Sequence, residues 1–412
     1  MPASIAWPKR LSALRHRNFR LYFAGHSVST IGTWIQQVAL AWLIYRLTDS
    51  AALLGVTSCL VLLPQLFIGP VAGAWIDRHD KLRLLLITQS LMAAQAAVLA
   101  MLTTTGMITS AMIVAMSAVL GMLSAFDTPL RQSLLSNFVG DRGDLSNALA
   151  LNATLFTCSR FVGPPLAGLL LEYTSESVCF SLNALSYLAL VATLLSVRIE
   201  PTARVSGSMG EVFREGLEYV FHAPNVRRLI LGVLLVNLTA SSYAAVLPVF
   251  AKDVLSGDAQ TLGWLWGAAG LGSLASSLCL TNHQQSNQLP RALLISALIS
   301  ALGLLLLGFS HGLYLSLTAM ALLGAGITVN NVGTNIILQS GAPNELRGRV
   351  VSIYTATRFG FDAIGGLLAG LLASQYGGPK AMAIAGITLL CYCIWSVSRA
   401  TFEGIVQRKS RY

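Results

Sequence analysis

Charge is scarce in this sequence. Asp, Glu, Lys and Arg make up 11% of its 412 residues, against about 25% in a soluble domain. A soluble enzyme of this size could not wet its surface with so little. A disordered chain would be polar and charge-rich, whereas this one is 54% hydrophobic with a mean hydropathy of +0.66. What remains is a polytopic membrane protein lying mostly in lipid. Catalytic signatures are lacking as well. No Lys follows a Gly, so there is no Gly-rich phosphate loop ending in Gly-Lys, and the chain carries no ATPase of its own. There is no Gly-x-Ser-x-Gly elbow and no His-Glu-x-x-His, and the acids in apolar runs are too few and dispersed for an enzyme. The six cysteines are scattered; Cys391 and Cys393 are too close for a usual zinc pair and have no second pair. All six read as small core hydrophobes, and no metal site is expected.

Apolar runs of about 20 residues, the length that crosses about 30 Å of hydrocarbon, recur along the chain. They fall at 19–45, 51–76, 84–104, 108–130, 146–171, 177–197, 228–251, 260–281, 290–309, 313–338, 348–375 and 380–401. The chain opens polar and basic, and its first apolar run is too long for the core of a cleavable signal peptide. Lys and Arg test the count. With the N-terminus in the cytoplasm, only Arg46, Lys252 and Lys380 fall on outside loops; the rest are on inside segments, apart from Arg160 and Arg358, which lie within spans. The expectation is therefore twelve spans with both termini cytoplasmic, in the cell membrane (the inner membrane in a Gram-negative cell). A net charge of +10 distributed this way points to membrane topology, not to nucleic acid.

The most charged stretch, 198–227, divides the chain into residues 1–197 and 228–412, six spans each. Within it Met209, Val212, Phe213, Leu217, Val220 and Phe221 share one helical face, with Glu211, Arg214, Glu215 and Glu218 opposite. Ser208 and Glu211 are spaced as a capping box. This predicts an amphipathic linker helix at the cytoplasmic surface. The halves also repeat: the segment 160–170 aligns with 362–372, pairing Gly163 with Gly365 and Gly168 with Gly370. Such a parallel repeat suggests two bundles that rock about a central site.

Between spans 2 and 3 the chain reads Gly69-Pro-Val-Ala-Gly73-Ala-Trp-Ile-Asp77-Arg78-His-Asp80-Lys81-Leu-Arg83. This resembles the signature loop of the major facilitator superfamily. Its counterpart in the second half, Asn282 to Asn287, has lost most of its charge, as is usual there. Three further stretches narrow the resemblance. They are Asn18-Phe-Arg20 through Gly32-Thr-Trp34-Ile-Gln36-Gln37, then Phe126-Asp127-Thr-Pro129-Leu-Arg131-Gln132, then Leu145-Ser-Asn147 through Asn152. Together they are similar to the transmembrane secretion effector branch, which includes the enterobactin exporter and related siderophore and drug efflux proteins. The resemblance implies an all-α membrane protein: twelve transmembrane helices in two pseudo-symmetric six-helix bundles. It also implies a cytoplasmic gate of Gly73, Asp77, Arg78, Lys81 and Arg83, met by Asp127 and Arg131 from span 4. These two are four residues apart, on one helical face. A solvated surface pair worth about 0–1 kcal/mol is the alternative.

Span 1 is too polar to face lipid. His26, Thr30, Thr33 and Gln37 share one face, flanked by Ser29 and Gln36. The resemblance implies that spans 1, 4, 7 and 10 line the cavity, where Asn237, Ser241 and Tyr243 of span 7 and Asn330, Asn331, Thr334, Asn335 and Gln339 of span 10 would join them. A girdle of neutral hydrogen-bonding groups suits a polar or amphipathic organic molecule better than a bare ion. Three ionisable groups sit deep. Arg160 lies about 21 Å into span 5 at about 1.5 Å per residue; Asp362 is at the equivalent depth in span 11, with Arg358 one turn before it. Arg160 suits an anionic group of the cargo, such as a carboxylate or catecholate. Asp362 is a candidate proton carrier, although Arg358 would hold it ionised; His26 is the rival.

These readings converge on a secondary active exporter of a small organic molecule, a siderophore or related metabolite, working by proton-coupled alternating access. A multidrug efflux antiporter is the alternative, and after it an importer or facilitator. No cofactor is expected beyond a proton gradient. The expected partners are a small-molecule substrate and the lipid bilayer, with no nucleic acid, for a monomeric protein that is not an enzyme.

Overall fold

The computed structural model describes residues 9–76, 78–140, 142–197, 218, 220–281, 289–343 and 346–409. Among these there is helix and turn but no strand. A 3-10 segment, Lys9–Arg15, leads into α1 (Arg17–Thr48), α2 (Ala51–Ile76), α3 (Lys81–Thr104), α4 (Ser110–Phe138), α5 (Arg142–Tyr173) and α6 (Glu176–Leu195). After the linker come α7 (Pro224–Thr239), α8 (Tyr243–Val249) with a π turn over Phe250–Val254, α9 (Ala259–Thr281), α10 (Leu289–Gly308), α11 (Leu313–Gly341), α12 (Arg347–Tyr376) and α13 (Gly378–Lys409). Most of the expected linker helix, and Asp77, lie outside the described residues.

Local chemistry sets the helix ends. α1 stops at Asp49, whose φ of 47° is left-handed and whose N–H donates to the Tyr45 carbonyl at 2.8 Å. Thr109 caps α4, accepting from Met112 N–H, and Asp80 caps α3, accepting from Arg83 N–H at 3.1 Å. The seventh span is broken between Thr239 and Tyr243. There the Ser242 hydroxyl donates to the Thr239 carbonyl, competing with the helical backbone bond.

Among the described residues ten segments are long and apolar enough to cross a membrane. α1 and α9, with 32 and 23 residues, have the length. They fall below that apolarity because α1 carries a polar face and α9 is rich in Gly and Ser. Large side chains such as Leu91, Met101, Leu185, Leu195, Ile295, Leu302, Ile387 and Ile394 point outward, as a lipid-facing surface requires. The cysteines divide: Cys59, Cys179 and Cys393 are buried, Cys158 is half-buried, and Cys279 and Cys391 are exposed. Those last two are not core residues; an apolar span turns part of its circumference to lipid.

The chain forms two compact units. The first gathers α1, α2 from Leu60 onward, α3 to α6, and residues Gly257–Gly267. Its core is built from Phe19, Tyr22, Ile76, Leu85, Leu130, Leu134, Phe138, Leu190 and Leu194. The second gathers Ser50–Cys59 with α7, α8, the rest of α9 and α10 to α13. Val233, Leu338, Val350 and Tyr354 form a core in it.

The repeated glycines do the same work in each unit. A Cβ on Gly163 would lie 2.6 Å from Trp34 Cβ on α1, and one on Gly365 would meet the Leu238 carbonyl of α7. One on Gly168 would lie 2.9 Å from Gln260 Cα, and one on Gly370 would lie 2.7 Å from Gly55 Cα. At Gly168, Gly365 and Gly370 backbone therefore packs on backbone, and at Gly163 on the root of the Trp34 side chain, which small residues permit where lipid offers little drive to associate.

Candidate functional site

The polar face of α1 is enclosed by α3, α4, α5 and α6 of its own unit. Toward one end Gln36 is the hub. Its amide donates to Gln95 of α3 at 3.2 Å and its carbonyl accepts from Asn183 of α6 at 2.7 Å. Gln95 donates on to the Met116 carbonyl, and Ser186 donates to Asn183 Oδ1 at 2.9 Å. Thr33 meets the Tyr187 hydroxyl at 3.1 Å. Each of these groups finds a partner, so this end of the face joins helices. Gln37, expected to continue the face, is exposed, and its neighbour Gln36 is buried. A single residue turns the helix by about 100°, enough to exchange the two. Gln36→Leu should cost about 1–3 kcal/mol, since it strands the Asn183 and Gln95 amides. Thermal unfolding in detergent measures it; an unchanged midpoint would mean water replaces the bonds.

Two turns away the network is charged. Arg131 of α4 pairs with Asp127 one turn earlier, Nε to Oδ2 2.7 Å, with side chains 13% and 12% exposed. Gln89 of α3 donates to the other Asp127 oxygen. The Arg131 guanidinium donates to His26 Nδ1 of α1. Tyr22 stacks on His26 at 5.1 Å between centroids, and Phe138 stacks on Tyr22 at 4.6 Å. Asn152 of α5 faces the imidazole. His26, read from the sequence as a cavity group, and Asp127 with Arg131, read as gate groups, thus belong to one cluster. Its enclosure is unlike that of a solvated surface pair. Sequence reasoning overlooked Gln89 and Gln95, though an amide in the apolar run of α3 is the kind of signal that marks such a site.

Of the remaining gate candidates, Asp77 lies outside the described residues. Arg78 and Arg83 are exposed and Lys81 is half-buried. Gly73 lies in α2. The N-terminal segment is strapped to the start of α5. Ser12 donates to Asp144 at 2.7 Å, Ala13 N–H to Asn147 at 3.0 Å, and Arg15 and His16 meet Asp144 Oδ2 at 2.7 and 2.9 Å. That gives the Leu145-Ser-Asn147 stretch a structural reason.

Arg160 lies over Trp34, 5.9 Å from Cζ to the ring centroid. Trp34 in turn meets Phe156 at 5.9 Å and the edge of Trp266 at 5.8 Å. In the second unit Asn237 and Asn331 exchange side-chain bonds of 3.0 and 3.4 Å. Ser241 donates to Asn237, and the Tyr354 hydroxyl to the Asn331 carbonyl at 2.8 Å. Tyr243 is buried; Asn335 is half-buried and accepts from exposed Gln339 at 3.0 Å. Arg358 and Asp362 are half-buried, and the Arg358 Cζ is 5.1 Å from the Phe359 ring centroid. Among the described residues no group of His, Cys, Asp and Glu is placed to hold a metal.

The profile of a family described as transmembrane secretion effector matches residues 9–403. A staphyloferrin A transporter of Staphylococcus aureus is 26% identical over 374 residues, covering 90% of this chain and 94% of that protein. Macrolide efflux protein A of Streptococcus pyogenes is 24% identical, covering 92% and 96%. The multidrug efflux pump Tap of Mycolicibacterium fortuitum is 27% identical, covering 84% and 87%. Among solved structures, the nucleoside transporter NupG superimposes with a TM-score of 0.75 at 13% identity, covering 93% of this chain and 99% of its own. A bacterial homologue of the human lysosomal transporter Spinster, inward-facing and unoccupied, gives 0.70 at 12%, covering 98% of each. At such identities the structures speak for fold alone.

Proposed function

Because the chain belongs to the transmembrane secretion effector family of major facilitator transporters, we propose that it exports a small organic molecule, a siderophore or related metabolite, in exchange for protons. It is a multi-pass membrane transporter and not an enzyme. The observation that carries the reading is the breadth of the match: relatives covering about nine-tenths of the chain include a siderophore transporter and drug efflux proteins. In this reading α1 to α13 make twelve spans in two bundles joined by residues 198–227, with both termini in the cytoplasm and one chain as the working unit. Arg160 and the indoles beside it suit a cargo with an anionic or planar aromatic part: the guanidinium takes the charge and the rings take the face. With no phosphate loop in the chain, a proton gradient is the natural source of work. Each charge moved through the membrane potential supplies about 2.3 kcal/mol per 100 mV. Multidrug efflux is the second reading, favoured by the macrolide and multidrug relatives.

Two measurements test this. Deleting the gene should lower the iron-chelating metabolites found in the medium by mass spectrometry, and unchanged levels would count against a siderophore. Inside-out vesicles holding the protein should accumulate staphyloferrin A or erythromycin under an imposed pH gradient and lose them on adding an uncoupler. Accumulation only in right-side-out vesicles would make it an importer.

A further inference from the structure

We infer that His26 is the proton-carrying group, and that its proton and the Arg131 hydrogen bond compete for the same atom, Nδ1. This rests on the proton-driven reading above and deepens it. An arginine side chain is always protonated and can only donate. Its bond to His26 Nδ1 therefore requires a lone pair there. The nearby Thr30 hydroxyl, 3.1 Å from Nδ1, donates instead to the His26 carbonyl at 2.7 Å. The imidazole is thus neutral, with its one proton on Nε2. A second proton must go to Nδ1. It would turn the acceptor into a donor and set two cations face to face with little water between them, since His26 is 9% exposed.

The cluster offers a second arrangement for the proton to select. Arg131 is already anchored to Asp127, and Asp127 to Gln89. When His26 is protonated, the guanidinium can stay with its carboxylate and give up α1. The contact broken is a polar tie between α1 and α4, beside the Tyr22–Phe138 stack. That makes it a switch between two packings, in which a ligand, here a proton, shifts the population by binding one of them better. Among the described residues the groups facing His26 come from five helices. Tyr22 comes from its own helix and Arg131 with Asp127 from α4; Tyr187 of α6 acts electrostatically on that pair; α3 and α5 present the neutral Gln89 and Asn152. The one carboxylate in this set, Asp127, is already taken up by Arg131 and Gln89.

His26→Asn tests the assignment, since the asparagine oxygen stands near the place of Nδ1, accepts from Arg131 and cannot be protonated. Two readouts are used on the full chain. The first needs no cargo: proton uptake by purified protein as the pH is lowered, followed with an indicator dye. The variant is expected to bind one proton fewer per chain, and equal uptake would overturn the proposal. The second uses erythromycin or staphyloferrin A in proteoliposomes. The variant is expected to keep the wild-type unfolding temperature, which a merely structural lesion would lower, because its oxygen preserves the Arg131 bond. It should lose at least tenfold of gradient-driven accumulation. Full accumulation by His26→Asn, or its loss in Asp362→Asn alone, would overturn it. His26→Gln serves in the same tests where the Asn variant folds poorly. If wild type moves neither probe, the export reading fails on its own, and the uptake measurement still decides His26.

Discussion

Replacing Arg131 by Met is expected to destabilise the protein by about 3–5 kcal/mol, because it leaves a buried carboxylate with no countercharge. Asp127 is 9% exposed. Its remaining partner would be the Gln89 amide, and one neutral hydrogen bond returns only a fraction of what burial of the charge costs. Met fills about the same length and keeps the contacts of the arginine stem, so the loss reports charge rather than volume. The double variant Asp127→Asn with Arg131→Met should recover most of the loss, since a buried ion pair replaced as a whole costs far less than one broken in half. Thermal unfolding of the three variants in one detergent separates these terms. A loss below about 1 kcal/mol in Arg131→Met would mean that water reaches the pair, as it does a surface pair. A double variant no better than the single would mean that the guanidinium matters for its bond to His26.

Leucine at Gly370 or at Gly168 should be the other severe lesion. The first Cβ would stand 2.6 Å from the Ala51 carbonyl oxygen and the second 3.0 Å from that of Ala259, at equivalent places in the repeat. At Gly370 the opposing atoms are backbone, including Gly55 Cα, and no flexible side chain is there to yield. Overpacking of this kind costs about 1–3 kcal/mol and sometimes more. Here it must also push one helix off another over several turns. Each variant is expected to unfold at lower temperature and to lose at least tenfold in probe accumulation. Gly348→Ala, where a Cβ meets nothing within 4 Å, should match wild type in both measurements. If Gly370→Leu kept the wild-type unfolding temperature, the start of α2 would not be in backbone contact with α12.

Much of this was legible beforehand, for identifiable reasons. The repeat glycines stood out in the alignment of 160–170 with 362–372, and their shared role follows because a duplicated helix repeats its close contacts. The polar face of α1 was legible because few polar side chains occur in an apolar run. Which member of the Gln36–Gln37 pair turns inward was not, because the two are adjacent and periodicity leaves a residue of slack at the edge of a face. The union of His26 with Arg131 was hidden more deeply. They are 105 positions apart, and nothing in either local pattern names the other.

Composition alone settled that the chain lives in lipid, because so little charge leaves no other solvent for it. Motif and length placed it among secretion transporters, and the distribution of Lys and Arg gave the topology proposed here. Only the packing of α1 against α3, α4 and α6 decided which polar groups meet. A sequence period gives the direction a side chain leaves its helix, while a partner depends on the depth and rotation at which two helices come to rest.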